Sequence, residues 1–362
     1  MVGGSFLAVR FAIAAGRMPI LDDFSRSDSG QYLSIARRGY WSRTVHCHSY
    51  VHQVSHLCGN IGWFPGYPAL IRAVGTVTTG SFLVAALVVS WLGWLQLLRM
   101  IWVLSDGQGN LSRWLCLLVA AFFPGQVFFG TMFPMSLALG TSLLCIDAAV
   151  RQNRRGLATF AGFVAGTSYL AMTVTAPALL LALLLPEGRR HRGSVVLAAG
   201  SVLAGLGAVL LYAQLSLRRW DAYFVSAQQQ YGVGFNSPYT LIVRHMSPLW
   251  KPGASAVRLT TVQQSVLLIL LLIVSLSLTA HAWARERRLP AIDLVLTSAA
   301  CGMWLLPYLA GGGLSVWRSE ACTIVLVPLL RRAPRWLLVL LLVGCVVVAW
   351  KMGGWFYLRR LP

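Results

Sequence analysis

The apolar positions of this chain come in long runs rather than in alternation. "GSFLVAALVVSWLGWLQLLRMIWVL" (80–104), "GSVVLAAGSVLAGLGAVLLYAQLSL" (193–217) and "TTVQQSVLLILLLIVSLSLTAHAW" (260–283) each reach the roughly 20 residues that a bilayer core demands. Within hydrocarbon a helix satisfies its own backbone, so runs of this length predict an all-α polytopic membrane protein. Extending the same reading predicts helices over 4–20, 80–104, 114–130, 133–150, 157–170, 172–185, 194–217, 261–284, 291–310, 316–330 and 335–352. Around "TSYLAMTVTAP" (167–177) two outcomes stay open: a turn between two short helices, or a break inside one long helix. No internal repeat interrupts the pattern, so residues 1–362 are expected to form a single membrane domain.

The polar connections between these runs differ in length and charge. "RQNRR" (151–155), "EGRRHR" (187–192), "RERR" (285–288) and "RRAPR" (331–335) are short and basic, and Arg99 and Arg113 flank another such loop. The positive-inside rule assigns that face to the cytoplasm. The opposite face receives two long loops, 21–79 and 218–260, with short turns near 131 and 311–315. Long loops carry function more often than short ones.

Composition sharpens this picture. The chain is 57% hydrophobic and 11% charged, against about 25% charged in soluble domains. A formal charge of +20 would suggest nucleic acid in a soluble protein. Here the arginines sit between apolar segments as topology markers, so no nucleic-acid partner is expected. "MVGGSFLAVRFAIAAGRMPIL" lacks a basic start and is interrupted by Arg10, which predicts a short first helix and no cleaved signal. Five of the seven cysteines, Cys116, Cys145, Cys301, Cys322 and Cys345, lie in apolar runs as small hydrophobes.

Only 10 acidic residues stand against 30 basic ones, and three of them, Asp22, Asp23 and Asp28, lie within seven positions of the first long loop. Asp221 belongs to the second long loop, and Glu320 is expected just inside the same face. "DSGQYLSIARRGY" (28–40) has the amphipathic spacing of an interfacial helix, through Tyr32, Leu33, Ile35, Ala36 and Tyr40. Asp28 would stand at its N-terminus, where a cap contributes about 1 kcal/mol, with Ser25 and Ser27 as rival caps. "NIGWFPGYPALIR" (60–72) follows as a rigid aromatic turn and a second helical stretch.

"SDSGQYLSIARRGY" (27–40) followed by "GWFPGYPALIR" (62–72) resembles the first luminal loop of the PIG-V-type mannosyltransferases, of the GT-C superfamily. Downstream, "DAYFVSAQQQYG" (221–232) and "SVWRSEACTIVLVPLL" (315–330) are similar to later stretches of that family, in the same order. The resemblance implies a GT-C-like bundle of about ten or eleven transmembrane helices in the plasma membrane, with interfacial helices in its first non-cytoplasmic loop. It also implies inverting transfer of mannose from a polyprenyl-phosphate sugar to an extracytoplasmic glycan, lipid or protein. Asp28 is the implied base, with Asp22 and Asp23 as rivals. An acceptor hydroxyl must lose its proton as it attacks, and a partly desolvated carboxylate can take it. The lipid phosphate needs neutralising by guanidinium. Arg318 is the first candidate; Arg244 with His245, and Arg38 or Arg37, follow. Tyr32, Trp63 and Tyr67 of the first loop, and Gln228 and Tyr231 of the second, are the candidates for substrate contact.

The sequence departs from the family in "MFPMSLALG" (132–140), where Phe133 and Met135 replace an expected Tyr and Glu. Either a different substrate or a loss of activity would follow. "HCHSYVHQVSHLC" (46–58) supports three readings. His48, His52 and His56 would form one stripe on a helix and share a zinc ion with Cys47 or Cys58; Cys47 and Cys58 would form a disulfide; or the segment is a plain polar loop. No metal is assigned, though a divalent cation on Asp22 and Asp23 would suit a donor phosphate. Two other function classes stay open: a transporter or lipid flippase, kept alive by Arg10, Arg318 and Glu320, and an inactive scaffold of the same architecture.

Overall fold

Each long apolar run is helical, as the hydrocarbon requires of it. The computed structural model describes residues 24–25, 28–45, 56–78, 81–106, 109–235, 237–311 and 316–358. The expected helix at 4–20, Asp22 and Asp23 lie outside the described residues. The chain begins with α1 (Ser29–Arg38), a two-stranded hairpin of β1 (Ser42–Val45) and β2 (His56–Gly59), and α2 (Gly66–Val77). Then come α3 (Phe82–Leu104), α4 (Asn110–Ala121), the single turn α5 (Val127–Gly130), α6 (Met135–Val150) and α7 (Arg155–Ser168). A 3-10 stretch (Leu170–Val174) leads into α8 (Thr175–Leu181), α9 (Pro186–Arg190) and α10 (Arg192–Leu217). The second long loop folds into α11 (Ala222–Tyr231) and α12 (Pro238–Met246). The bundle closes with α13 (Ala256–Glu286), α14 (Ala291–Leu309), α15 (Val316–Glu320) running into 3-10 helix (Ala321–Arg332), and α16 (Arg335–Tyr357).

Five of these, α3, α10, α13, α14 and α16, are long and apolar enough to cross a membrane. The architecture is that of an all-α polytopic membrane protein, with one short hairpin in its first loop. The open question at 167–177 resolves as a turn, since Tyr169 is extended (φ −158°, ψ 134°) and separates α7 from the segment carrying α8.

Two expectations are corrected. The single helix expected over 114–130 is divided, because Pro124 disfavours helix at the residue before it and Gly125 adopts φ +80°. A Cβ at Gly125 would fall 2.7 Å from the Ala321 Cβ, so only glycine lets this turn approach the start of the 3-10 segment. The connection that follows, Phe128 to Met135, is buried apart from Gly130, and its Phe128 packs on Trp317 of α15 at 5.1 Å. His56 does not continue a helical histidine stripe either. His56 lies on β2, paired in register with Val45, and Cys58 pairs with Arg43. His46, Cys47, His48 and His52 fall outside the described residues, and with them the proposed disulfide and zinc site.

Small residues set the helix spacing. At Gly93 of α3, a Cβ would sit 2.5 Å from the Leu137 backbone nitrogen of α6, so the two backbones touch directly. Close backbone approach of this kind is how membrane helices gain packing energy without a hydrophobic drive.

Contacts between connections sort the bundle into two ends. At the basic end, Glu187 accepts from Arg288 at 2.6 Å and from the Ala291 backbone at 2.9 Å. His191 Nδ1 lies 2.8 Å from the Val150 carbonyl, and Arg331 and Arg332 bind Asp293 at 2.6 and 2.7 Å. Glu187 thus joins two of the four basic connections identified in the sequence, Arg331 and Arg332 tie a third to the first turn of α14, and His191 reaches the end of α6. The opposite end, called the rim below, gathers the first loop, the turn at 131, the second long loop and the α15 break. Ser29 donates to the Met132 carbonyl at 3.1 Å, and the Gly234 amide to the Ala310 carbonyl at 3.0 Å.

Candidate functional site

Asp28 starts α1, with its carbonyl accepting from the Gln31 and Tyr32 amides at 2.9 and 3.3 Å. Its side chain makes no capping hydrogen bond to that helix. It forms a salt bridge with Arg318 instead, across 290 positions of sequence. The Asp28 side chain is 26% exposed and that of Arg318 10%. The pair therefore sits at the rim with its acidic partner open to the outside and its basic partner inside.

Arg318 is held by rings. Its guanidinium carbon lies 5.6 Å from the Phe128 centroid, 5.2 Å from Phe133 and 5.5 Å from Trp317. Rings within about 6 Å offer their negative faces to a cation, and the effect grows as water is excluded. The elements that build this cage are the breaks described above: the connection after Pro124–Gly125 carries Phe128 and Phe133, and α15 carries Trp317 and Arg318. Phe133 stands where the resemblance led us to expect Tyr; it stacks at the arginine itself. Met135 is fully buried beneath. The departure from the family pattern thus falls on the wall of the site.

The first loop braces Asp28. Tyr32, nearly buried, packs edge-on against Tyr67 at 5.4 Å and Phe133 at 6.5 Å. Burial, reinforced by the nearby Asp28 charge, raises its phenol well above the ordinary range, so it remains a hydrogen-bond donor. Tyr67 is turned inward, with its hydroxyl donating to the Ala86 carbonyl at 3.0 Å and sharing a 2.7 Å hydrogen bond with Ser90. Trp63 is buried and its carbonyl accepts from the Tyr40 hydroxyl. Asn60 closes the base of the hairpin, accepting from the Trp41 amide at 3.0 Å and donating to the Gly39 carbonyl at 3.1 Å. Gly39 itself takes φ +79° as the chain leaves α1. Phe64 meets Tyr223 of α11 at 4.9 Å, tying the two long loops together, and burial pushes the Tyr223 phenol up to about 12.

The remaining candidates are dispersed. Arg38 and Arg244 are exposed in the last turns of α1 and α12, and Gln228 is exposed on α11, the helix that also contains Tyr231. His245 goes elsewhere. Its Nε2 lies 2.8 Å from the Ser265 hydroxyl, which donates to Glu320 at 2.6 Å; Tyr308 donates to the other Glu320 oxygen, also at 2.6 Å. Burial and the neighbouring Arg258 hold the His245 imidazole below its ordinary value of 6.5, which makes it a poor cation for a phosphate.

This second cluster was only partly legible. Glu320 stands out in sequence as a rare acid within an apolar segment, and the structure buries it completely. Ser265 and Tyr308 carry no sequence signal, because their role depends on α13 and α14 meeting at α15. Among the described residues no group of three or more His, Cys, Asp or Glu is arranged to hold a metal.

No family model matches this chain, and no curated protein matches it.

Proposed function

We propose that the protein is an integral-membrane inverting glycosyltransferase that moves a sugar, mannose by the first-loop resemblance, from a polyprenyl phosphate to an acceptor on the non-cytoplasmic face of the plasma membrane. The observation that carries this reading is the Asp28–Arg318 pair: a carboxylate and a ring-caged guanidinium, brought together at the rim from opposite ends of the chain. These are the two groups that the chemistry requires.

At rest the two neutralise each other. A donor phosphate brings its own negative charge to Arg318, competes with the carboxylate for the guanidinium fork, and releases Asp28 to act as base. The acceptor hydroxyl then attacks the anomeric carbon while its proton passes to an Asp28 oxygen. The bond from that carbon to the phosphate oxygen breaks, and its electron pair leaves with the lipid phosphate, whose charge Arg318 offsets. Donor binding and base release are thus one event, so the carboxylate is freed only when a donor is in place.

The test is transfer from radiolabelled polyprenyl-phosphate mannose in isolated membranes. Asp28→Asn should lower the rate by about 10²–10⁴-fold, the usual contribution of a positioned base, while the protein level stays unchanged. Wild-type-like transfer in this variant would remove the base assignment.

A second reading is favoured by a different observation. Glu320 is fully buried in a broken segment, beside Tyr308, Ser265 and His245. Intramembrane acids on interrupted helices are also the mark of transporters. Counterflow of a solute in proteoliposomes, with no glycosyl product formed, would favour carriage over transfer.

A further inference from the structure

A groove of about 380 Å³ lies between the first turns of α13 and the last turns of α16. Leu259 and Trp350 are its apolar walls, and Lys351 and Gln263 its polar end. The Lys351 ammonium donates to Gln263 Oε1 at 3.1 Å. An ammonium has three donors, so this amide leaves it with capacity for an anion. The Trp355 indole donates to Thr260 at 3.0 Å and pins the two helices at the floor.

The groove does not end at its own walls. From Leu259 and Gln263, helical spacing leads along α13 to Val266 and Leu270, which are 45% and 48% exposed. From Lys351 the same spacing leads along α16 to Val347 and Val343, 48% and 56% exposed. One cation at the rim is thus continuous with an open apolar stripe on two helices that are long enough to cross the bilayer. Charge and apolar surface succeed each other over the distance at which a lipid's phosphate and acyl chain do. Phe356, the next residue after Trp355, packs on Phe128 and Phe133 at 5.7 and 6.4 Å, so a wall of rings separates the groove from Arg318.

We infer that this groove is a binding site for an anionic glycerophospholipid, its phosphate on Lys351 and an acyl chain along Val347, Val343, Val266 and Leu270. The site is separate from the Asp28–Arg318 pair and does not depend on the glycosyltransferase reading.

The experiment uses the full chain purified in detergent, exposed to equal amounts of phosphatidylglycerol and phosphatidylcholine, with retained lipid counted by native mass spectrometry. The wild type should retain phosphatidylglycerol about fivefold over phosphatidylcholine, the effect of one lysine near a membrane surface. Lys351→Gln should bring that ratio to about one while the variant still folds, since the side chain is exposed. Leu259→Trp, which fills the groove from its edge, should lower retention of both lipids. Equal retention of the two lipids by the wild type, or a preference that survives Lys351→Gln, would overturn the site. Absence of sugar transfer by the wild type, with this lipid preference intact, would count against the enzymatic reading alone.

Discussion

Two aspartate–arginine assemblies occupy opposite ends of the same segment of chain, and they are built for different purposes. At the basic end, Asp293 is fully buried and each of its carboxylate oxygens meets an arginine, Arg331 at 2.6 Å and Arg332 at 2.7 Å. Arg331 also donates to the Pro328 carbonyl at 2.9 Å. Two cations on one fully buried anion make a structural clamp. At the rim, the Asp28 carboxylate meets the Arg318 guanidinium, the carboxylate is partly exposed, and rings line the arginine. A clamp surrounds its acid with partners. A site leaves part of its acid accessible, and it holds its arginine with rings that cannot compete for an incoming phosphate.

The contrast is broken most forcefully at the clamp. Asp293→Asn leaves two part-buried guanidinium groups facing an amide, at a cost of roughly 3 kcal/mol. Thermal unfolding of the detergent-solubilised variant should show a large fall in midpoint. An unchanged midpoint would mean that the clamp is dispensable and that the two assemblies do not differ as described.

At the rim the expected effect is on rate rather than stability. Arg318→Lys keeps the charge and loses the planar fork and its stacking on Phe133. We expect kcat/KM for the polyprenyl-phosphate donor to fall roughly 10- to 100-fold, the worth of a charge-assisted hydrogen bond, with little change in unfolding midpoint. A variant that loses stability and keeps its rate would turn the rim pair into a second clamp.

The smallest effect sharpens the comparison with the third acid, Glu320, through its surface neighbour. Folding holds His245 below its ordinary value of 6.5, so under that value the unfolded chain binds a proton that the folded one refuses. Stability therefore falls as pH drops through about 6.5 and is fully present above it. His245→Gln keeps a hydrogen-bonding group near Ser265 and removes the titration. Its midpoint should change less between neutral pH and about pH 5.5 than the wild type's, by a few degrees.

The helices themselves were legible in the sequence, because long apolar runs leave the backbone no other choice. Most boundaries deviate only where a cap or a proline decides them; α13, for example, begins with Ser255 accepting from the Arg258 amide at 3.3 Å, five residues before the expected start. The first loop's two motifs were legible as well: α1 and α2 form where the amphipathic spacing and the aromatic turn place them. The partnership of Asp28 with Arg318 was not, since nothing local to either residue encodes a contact across 290 positions. Phe133 looked like a missing tyrosine until its ring was found against the guanidinium. Tyr67 was expected to be a candidate for substrate contact, yet Ser90 and the Ala86 carbonyl draw its hydroxyl into the core. Short strands such as "SRTV" and "HLCG" pair by register across a connection, and that leaves little trace in periodicity.

The segment that joins the two assemblies is stretched. Five α-helical residues rising ~1.5 Å each and twelve 3-10 residues rising ~2.0 Å each carry the chain about 31 Å, enough for a hydrocarbon core of about 30 Å. Wound entirely as α-helix, the same residues would reach only about 25 Å. Tightening this one strut would pull Arg318 and Arg332 some 5–6 Å closer together, so the rim salt bridge and the basic clamp could not both remain closed. The protein thus has a built-in tether of fixed length, anchored at one end by the buried Asp293 carboxylate and at the other by the Asp28 salt bridge and the rings around Arg318.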